Sequence, residues 1–389
     1  MLYLLLLIIY SSSVFAQGDT SIAREAIYNR PFIGGNTGNM ASGGYAEGNT
    51  NYFATDGVSE GFSMELRRFN LFLYSPVTSH IKFLSELEFE HGTEEINIET
   101  AMIDFRIFPD FSFRGGILLT PVGDFNINHD SPKWDMINRP LAATDIVPST
   151  LSEVGFGIFG NLFPWNARIT YYLYLLNGLG ENVIHNEEGK TLLRAGKSGE
   201  MLGEDNNGVP MGNARISINF PLLGELGISW YGGAYNTFKK DGLDIDKKRN
   251  LHLGSLYYQR EFFQRVTLNG EVSRVWIDVP AEAGENYGNR QWGYFLDMIF
   301  AVKKGKMGRL ENARLNIFMR SEFVDFNEGK FILSREHKFD ELYALSGGIS
   351  FFPIPGTVLR MNYRWHWEYD LPGNLSRTGG FQVGLASYF

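Results

Sequence analysis

The feature that most constrains the fold is a strict two-residue alternation near the carboxyl end of the chain. From Val358 to Asp370, every second side chain is large and apolar or aromatic, and the side chains between them are polar. A β-strand points successive side chains to opposite faces, so this segment predicts a strand with one apolar and one charged surface. The apolar face would meet another sheet in a soluble sandwich, but it would meet lipid in a membrane barrel, where the polar face lines a wet interior.

The same alternation recurs along the chain and predicts about 16 strands of roughly ten residues, near the length that a tilted membrane strand requires. In the second strand, the segment MELRR alternates out of register with the residues after it, which predicts a β-bulge near Arg67. The predicted strands are 42–54, 61–74, 81–90, 96–108, 111–120, 152–161, 167–177, 212–220, 226–236, 251–259, 266–278, 291–303, 313–325, 341–351, 358–369 and 380–389.

The connections between these strands alternate in length. Short ones rich in Pro and Gly alternate with longer polar ones at 121–151, 178–211, 237–250, 279–290, 326–340 and 370–379. Antiparallel strands joined in this way place tight turns at one rim and long loops at the other, as in membrane barrels with short periplasmic turns and longer extracellular loops. Within lipid, every backbone N–H and C=O group needs a hydrogen-bond partner in the protein, so the sheet must close into a barrel without free edges. We therefore predict an all-β fold, a transmembrane antiparallel up-and-down β-barrel in the outer membrane, surrounded by outer-membrane lipid.

The amino terminus predicts export. The run MLYLLLLIIY, followed by Val14-Phe15-Ala16, is typical of a secretory signal peptide, here residues 1–16. A buried amino-terminal element is the alternative. Residues 17–41 show no clear period and are predicted to form an N-terminal periplasmic leader or plug-like segment before a barrel at 42–389. The absence of cysteine excludes disulfides and thiol chemistry, and the net charge of -9 argues against nucleic acid as a partner.

Two stretches resemble known outer-membrane proteins. The final segment, GFQVGLASYF, resembles the C-terminal signature by which the assembly machinery recognises Gram-negative barrels, although an ordinary edge strand is the alternative. Blocks such as RRFNLFLYS, RGGILLTPVGDFNINHDSPKWDMINRPL and PSTLSEVGFGIFG are similar to the phosphate-selective porin (porin O/P-like) family, over about the first third to half of the mature chain. This resemblance implies a 16-stranded homotrimeric porin whose long third loop folds into the lumen. The basic ladders of the anion-selective members are not matched residue by residue.

The loop at 121–151 is the main functional candidate, because loops of about 30 residues are uncommon in compact folds unless they have a function. If it folds inward, it narrows the pore and presents both charge signs and an aromatic ring to solutes, whereas the alternative is an ordinary polar surface loop. Its predicted constriction residues are Asp124, Asn126, Asn128, His129, Asp130, Lys133, Trp134, Asp135 and Arg139.

Alternation also predicts which charged side chains line the pore wall: Lys82, Glu86, Glu88, Arg106, Arg314, Arg320, Arg360, Arg364 and Glu368, with Asp104, Arg215, Glu271, Asp297 and Glu322 on the same face. Four of these residues, Arg314, Arg320, Arg360 and Arg364, could form a basic wall opposite Glu86 and Glu88. The two walls would give a transverse electric field across the pore. Internal ion pairs that fix the barrel are an equally consistent interpretation, and the two are compatible.

The sequence favours a channel over an enzyme. It has no G-x-S-x-G or H-E-x-x-H pattern, and the pair His129-Asp130 is the main candidate for acid/base chemistry, so we predict no catalysis, no cofactor and no metal site. The predicted function is an outer-membrane porin for passive diffusion of small polar or charged solutes or ions, phosphate or other anions among them. The alternative is a non-porin barrel, either a hydrolase or an adhesion or assembly protein acting through loops 121–151 and 178–211; a filled lumen would favour it.

Overall fold

The computed structural model describes residues 25–34, 40–92, 94–203, 205, 207–240 and 242–389. Within these ranges the chain forms a closed barrel of sixteen antiparallel strands and a small loop hairpin. The barrel strands are β1 (Ala41–Thr55), β2 (Val58–Ser75), β3 (Ile81–Glu90), β4 (Glu95–Phe108), β5 (Phe111–Leu119), β6 (Ser152–Leu162), β7 (Arg168–Leu176), β8 (Met211–Phe220), β9 (Gly224–Ala234), β12 (Asn250–Phe262), β13 (Val266–Ile277), β14 (Arg290–Met307), β15 (Leu310–Asp325), β16 (Glu341–Ile354), β17 (Thr357–Tyr369) and β18 (Leu375–Tyr388), and the hairpin is β10 (Lys239–Lys240) with β11 (Leu243–Asp244).

Short helical turns occur between the strands. They are an α-helical turn at Pro31–Gly34, a π-helical turn at Ala142–Ile146, and 3₁₀ turns at Ala26–Tyr28, Phe125–Ile127, Ser131–Lys133, Glu181–Val183, Leu193–Gly196 and Gly199–Leu202. In the part of the chain that the structure describes, no helix is both long and apolar enough to cross a membrane.

The barrel closes between its first and last strands. Each barrel strand pairs with the barrel strands before and after it in sequence, and β1 pairs with β18 from Tyr45 opposite Tyr388 to Thr55 opposite Thr378. All sixteen predicted strands correspond to observed ones, and the prediction of a closed antiparallel barrel is confirmed. The β-bulge is confirmed as well, because Glu47 pairs with Arg68 and Gly48 with Leu66, which leaves Arg67 as the extra residue.

The connections separate into two rims. The turn rim holds the connections 76–80, 109–110, 163–167, 221–223, 263–265, 308–309 and 355–356, together with the start of β1 and the end of β18. The loop rim holds 120–151, 177–210, 235–249, 278–289, 326–340 and 370–374, and two short connections at 56–57 and 91–94. The connection 56–57 is a two-residue hairpin turn, in which Asp56 and Gly57 both have the positive φ that such a turn requires.

Burial along the strands is the reverse of that in a soluble protein. In β17, Leu359 and Met361 are 48% and 40% exposed, whereas Arg360 and Arg364 between and after them are 2% and 6% exposed. Soluble proteins almost never bury unpaired Arg while exposing alternate large apolar residues. The outward face of this barrel is therefore the apolar one, suited to lipid, and the charged face points into the lumen.

Apolar packing also occurs inside the barrel. A buried cluster joins residues of the loops 120–151 and 177–210, such as Val122, Ile146, Leu179 and Leu193, to inward side chains of the wall, such as Tyr231. The loops thus occupy the loop-rim half of the lumen, and the same cluster continues to Ile27 and Tyr28 of the amino-terminal segment.

Candidate solute pathway and lumen loop

The loop 121–151, hereafter the lumen loop, crosses the interior of the barrel. Near its start, the Gly123 amide donates to Ser229 Oγ of β9 at 2.9 Å and the Asp124 amide to Glu271 Oε2 of β13 at 2.9 Å. Farther along, Asp135 Oδ1 accepts hydrogen bonds from Asn316 Nδ2 of β15, at 2.5 Å, and from Ser350 Oγ of β16. The loop therefore spans the lumen and is held by hydrogen bonds to several strands of the wall.

Arg360 of β17 anchors the middle of the lumen loop. Its Nη1 donates to the backbone carbonyl of Met136 at 2.6 Å, and its Nη2 donates to Ser131 Oγ at 2.6 Å and to Glu47 Oε1 of β1 at 2.9 Å. A planar guanidinium with several fixed donors suits such a junction of carbonyls and a carboxylate. The side chain predicted to be a pore-wall charge thus holds the lumen loop in place.

The amino-terminal residues also lie inside the barrel. Arg30 donates to Glu86 Oε2 of β3 at 2.6 Å and to Asp130 of the lumen loop at 3.0 Å, and Phe32 stacks on the inward Phe72 with ring centroids 5.7 Å apart. Burial alone would raise the pKa of Asp130, but Arg30, Lys133 and His129 together outweigh burial and lower it. Residues 25–34, part of the predicted leader, therefore contact both the lumen loop and the inner wall. The predicted signal peptide, 1–16, lies outside the described residues.

The outer loop 177–210 extends across the loop rim. The Thr191 carbonyl accepts a hydrogen bond from Gln291 Nε2 of β14 at 2.9 Å, and Lys190 lies 3.5 Å from Asp340 in the loop after β15. Arg194 lies 3.3 Å from Asp145, which joins this loop to the lumen loop. Burial raises the pKa of Asp145, partly offset by Arg194. The connection thus covers the outer half of the lumen from above.

Most of the predicted pore-wall arginines are in buried ion pairs. Arg320 lies 2.5 Å from Asp297, Arg364 lies 3.2 Å from Glu322, and Arg360 lies 2.9 Å from Glu47. Internal ion pairing, one of the two interpretations of this arginine cluster, is therefore present. Arg314 differs, since its guanidinium lies 4.1 Å from the centre of the Phe352 ring and faces open space.

The remaining wall predictions fall into three places. Glu86 and Glu88 are buried, the latter 3.6 Å from Arg68 and 3.7 Å from Arg139. Lys82 lies over the Tyr28 ring of the amino-terminal segment, 5.6 Å from its centre. Arg106 is half-buried near the turn rim and Glu368 is exposed at the loop rim.

A cavity of about 480 Å³ lies between the lumen loop and the turn rim. Five basic and three acidic side chains line it, with the rings of Phe125, Trp134 and Phe295 and several amides. The charged lining residues are Lys133, Arg265, Lys304, Arg314, Arg320, Asp124, Asp135 and Asp297. Aromatic rings beside separate charges can contact both the apolar and the polar parts of a small solute.

The acidic lining residues already have partners in the protein. Asp124 lies 2.8 Å from Arg215, Asp297 is paired with Arg320, and Asp135 accepts the hydrogen bonds described above. In contrast, no carboxylate of the described residues forms an ion pair with Arg265 or Arg314. Arg265 and Arg314 are thus the charged lining residues left for a solute.

The structure divides the nine predicted constriction residues into two groups. Those that line the cavity are Asp124, Asn128, Lys133, Trp134 and Asp135. Those that are buried in contacts within the protein are Asn126, His129, Asp130 and Arg139. His129 and Asp130 have different partners, Glu99 at 3.0 Å and Arg30 at 3.0 Å respectively, so they do not form an acid/base pair with each other.

Sequence reasoning did not identify several cavity residues. Arg265 lies in a turn, where alternation assigns no face, and Gln259, Asn269 and Asn316 are uncharged. Their inward direction could have been found by extending the alternation of β12, β13 and β15 to polar residues without charge. Asn29 could not have been found in this way, because the segment before β1 has no strand period.

Comparisons with known proteins agree with this geometry at the level of the fold. No family model matches the chain. An uncharacterised protein of Aquifex aeolicus (strain VF5) is 35% identical over 147 residues, which are 36% of this chain and 32% of that protein, so the match spans about a third of that relative. The resemblance to the phosphate-selective porins therefore remains a prediction.

Solved porin structures cover nearly the whole barrel. OprB of Pseudomonas putida, at high pH, has a TM-score of 0.57 at 9% identity, covering 90% of this chain and 94% of that one. An anion-selective porin from Comamonas acidovorans has a TM-score of 0.54 at 11% identity, covering 90% and 99%. OmpT of Vibrio cholerae, in a trimer form, has a TM-score of 0.52 at 8% identity, covering 90% and 100%.

These observations define the class of protein. A closed 16-strand barrel, an apolar outward face and a long loop inside the lumen make up a porin-like outer-membrane channel fold. Barrels of this kind span outer membranes, because only a closed sheet pairs every backbone group within lipid. The chain is therefore placed in the cell outer membrane.

Proposed function

We propose that this protein is an outer-membrane porin that admits small polar solutes through a lumen narrowed by the lumen loop, with a preference for anions. The main support for this proposal is the cavity of about 480 Å³ beneath that loop, where basic side chains outnumber acidic ones. A cavity of this size holds a small solute, whereas a wide general porin leaves an open aqueous channel. Phosphate is one anion that would fit this description.

Charge selection in this cavity would depend on its unpaired cations. Arg314 faces the cavity without a carboxylate partner among the described residues. Of the acidic lining residues, Asp124 and Asp297 are in ion pairs and Asp135 accepts hydrogen bonds from neutral side chains. A permeating anion would be stabilised there, and a cation would meet no free carboxylate. Rings of basic side chains select anions in other pores by the same electrostatics.

Single-channel recording in a planar bilayer tests the proposal, with the reversal potential in a salt gradient as the measure of ion preference. The wild-type protein should conduct with an anion-selective reversal potential. Arg314→Gln should move the potential towards the cation side, whereas Arg309→Gln, at an exposed turn of the same rim, should leave it unchanged. A cation-selective wild type would contradict the anion preference.

Shortening the lumen loop tests its role as a constriction. Removal of residues 124–139 deletes every predicted constriction residue and should raise the single-channel conductance, because that segment would no longer occupy the lumen. Removal of a stretch from the exposed loop 326–340 serves as the control and should change the conductance little. Equal conductance of wild type and the 124–139 deletion would contradict a constriction role.

A homotrimer is part of the proposal. Residues 58–65 of β2 extend beyond β3, which pairs with β2 only from Arg68 onwards. This free edge carries exposed apolar side chains, with Phe62 at 59% and Met64 at 78% exposure, and a neighbouring copy could cover them. Mass measurement in detergent should give three chains per particle, and Phe62→Ser with Met64→Ser should shift the particles towards monomers.

The second candidate is a barrel that acts through its outer loops, either as a hydrolase or in adhesion or assembly. The observation in its favour is the filling of the outer half of the lumen by the lumen loop and the loop 177–210. A correctly folded protein that gives no conductance in the bilayer would support this candidate and refute the porin.

A further inference from the structure

Three side chains with metal-binding atoms converge at the contact between the lumen loop and the barrel wall. Glu86 of β3, Glu99 of β4 and His129 of the lumen loop each offer a ligand atom, and these atoms lie within 4.8 Å of one another. All three side chains are buried, with exposures of 0%, 4% and 1%. None of them faces the cavity, so the solute pathway does not explain them.

The orientation of the His129 ring is fixed by a backbone carbonyl. Its Nδ1 lies 2.8 Å from the Asn126 carbonyl oxygen. Because a carbonyl oxygen can only accept, Nδ1 carries a proton. In the neutral ring Nε2 then presents a lone pair to the two carboxylates, whereas in the protonated ring it forms an ion pair with Glu99. This is the arrangement in which metal-bound histidines usually occur, with the second ring nitrogen donating to a carbonyl or carboxylate.

Glu99 is the independent sign of an absent partner. Both of its oxygens are shielded from solvent and accept no hydrogen bond from any described residue. His129 Nε2 lies 3.0 Å from Oε1 but not in hydrogen-bonding geometry, and Nε2 is itself without a hydrogen-bond partner. A buried carboxylate left without donors is costly, and such groups in folded proteins usually contact a cation.

Glu86 is held in position by two neighbours. Arg30 donates to its Oε2 at 2.6 Å and Asn70 donates to its Oε1 at 2.6 Å. Hydrogen bonds of this kind orient a ligating carboxylate while leaving a lone pair on each oxygen for a metal. Two ligands about 2 Å from a tetrahedral zinc ion lie roughly 3.3 Å apart, close to the spacing of Nε2 and Oε1.

We propose that Glu86, Glu99 and His129 bind one divalent transition-metal ion, with Zn²⁺ as the best fit. An imidazole nitrogen with two carboxylates is a ligand set for zinc and its neighbours, whereas calcium and magnesium prefer oxygen ligands only. The ion would join the lumen loop to β3 and β4 and hold the loop across the lumen. Binding of the ion does not depend on the proposed porin activity.

A metal-free ion pair between a protonated His129 and Glu99 is the competing arrangement. It would pair Glu99 with His129 and Glu86 with Arg30, and it would bind no ion. The two arrangements are separated by metal content, which makes the test direct.

The test is a Zn²⁺ titration, by calorimetry, of the full-length protein folded in detergent after treatment with a chelator. We expect one Zn²⁺ per chain, and binding weaker by more than about 100-fold in Glu99→Gln and His129→Gln, since even outer partners of metal ligands contribute 10–100-fold. His91→Gln is the matched control, because His91 forms a surface pair with Glu65 at 2.6 Å that lacks a third ligand. Its titration should equal that of the wild type.

Cobalt gives a second readout that does not rest on the variants. Co²⁺ added to the wild-type protein should give the visible absorption of a four- or five-coordinate ion, and Zn²⁺ should remove it. Resistance of the folded band to heating before electrophoresis confirms that each variant has folded. Less than one Zn²⁺ per chain in the wild type, or equal binding by Glu99→Gln, would overturn the proposal.

Discussion

At the scale of single residues, the interior depends on arginines that each satisfy several acceptors. Arg320 donates to both oxygens of Asp297, at 2.5 Å and 2.8 Å, and to the Asn138 carbonyl of the lumen loop at 2.9 Å. It thus neutralises a buried charge and fixes the loop at the same time. Most charged side chains of the barrel wall therefore stabilise the fold through ion pairs. Only the charged side chains without such partners remain to bind solutes.

Loss of Arg320 should be strongly destabilising. In Arg320→Ala, Asp297 would remain buried without its counter-charge, at a cost of about 3–5 kcal/mol in the free energy of unfolding. Urea titration followed by the heat-resistant electrophoretic band would measure it. Lys306→Ala, which removes an exposed pair with Glu311, is the control and should unfold like the wild type. Equal midpoints for the two variants would show that the buried pair contributes little.

Sequence alone predicts the direction of such a residue but not its partner. Alternation predicts an inward direction for Arg320, Asp297 and Arg360, and all three side chains are buried in the structure. Arg320 and Asp297 are direct cross-strand partners, yet the register between them includes irregularities at Ala301/Lys303 and Gly305/Met307. Arg360 reaches Glu47 only because the barrel closes. Pairing therefore depends on register and closure, which periodicity does not encode.

At the scale of elements, the neck of the lumen loop is held by an amide side chain together with a backbone hydrogen bond from the Thr120 amide to the Leu151 carbonyl, at 3.0 Å. Asn126 Nδ2 donates to the carbonyls of Thr120 and Leu151 at 2.7 Å and 3.0 Å, and its Oδ1 accepts from the Leu151 amide at 2.8 Å. Asn126 thus joins the two ends of a loop of about 30 residues. An Asn among polar loop residues gives no sign of this role in the sequence.

Removal of that amide should loosen the loop without unfolding the barrel. Asn126→Ala leaves the buried Leu151 amide without a partner, which costs about 1–3 kcal/mol. It also removes one of the two donors from the Thr120 and Leu151 carbonyls, which keep the backbone amides of Val122 and Thr120. We expect faster proteolytic cleavage within 121–151 while the barrel keeps its heat-resistant band. Asn128→Ala, which removes contacts only to Asp124 in the same turn, should be cleaved at the wild-type rate. Identical cleavage of both variants would show that the neck is held by other contacts.

The elements themselves differ in how far sequence predicts them. The sixteen strands followed from a period of two, and β14 ends at Met307 instead of Lys303 because its turn-rim end extends beyond the apolar alternation. The path of the lumen loop did not follow from its own residues, because contacts such as Asp135 with Asn316 join positions far apart in sequence. The resemblance to known porins, not periodicity, predicted that this loop folds inward.

At the scale of the whole molecule, the last residue completes the seam. The Phe389 amide donates to the Gly44 carbonyl at 3.0 Å, the Phe389 carbonyl accepts from the Gly44 amide at 3.2 Å, and its ring lies 5.7 Å from that of Phe69. The ring is 59% exposed at the turn rim. It is therefore both part of the closed sheet and accessible to other proteins before closure.

Substitution of the Phe389 ring distinguishes a role in recognition by the assembly machinery from a role in the stability of the folded barrel. Phe389→Ala keeps both backbone hydrogen bonds, so refolding into detergent should match the wild type, whereas the folded fraction in outer membranes should fall several-fold. Phe381→Ala, an outward aromatic of the same strand, is the control and should assemble normally. If Phe389→Ala assembles in cells as well as it refolds in detergent, the terminal aromatic is only an edge-strand residue.

The meeting of Arg30, Asp130 and Tyr388 has a consequence for which closed barrel is the stable one. Asp130 accepts from Arg30, which precedes the first strand, and from the Tyr388 hydroxyl at 2.6 Å in the last one. This contact can be complete only when the seam is shut with the lumen loop already inside. A barrel that closed around an empty lumen would leave Tyr388 and Arg30 without this carboxylate. The three residues thus favour a closed barrel with the lumen loop inside over a closed barrel with an empty lumen.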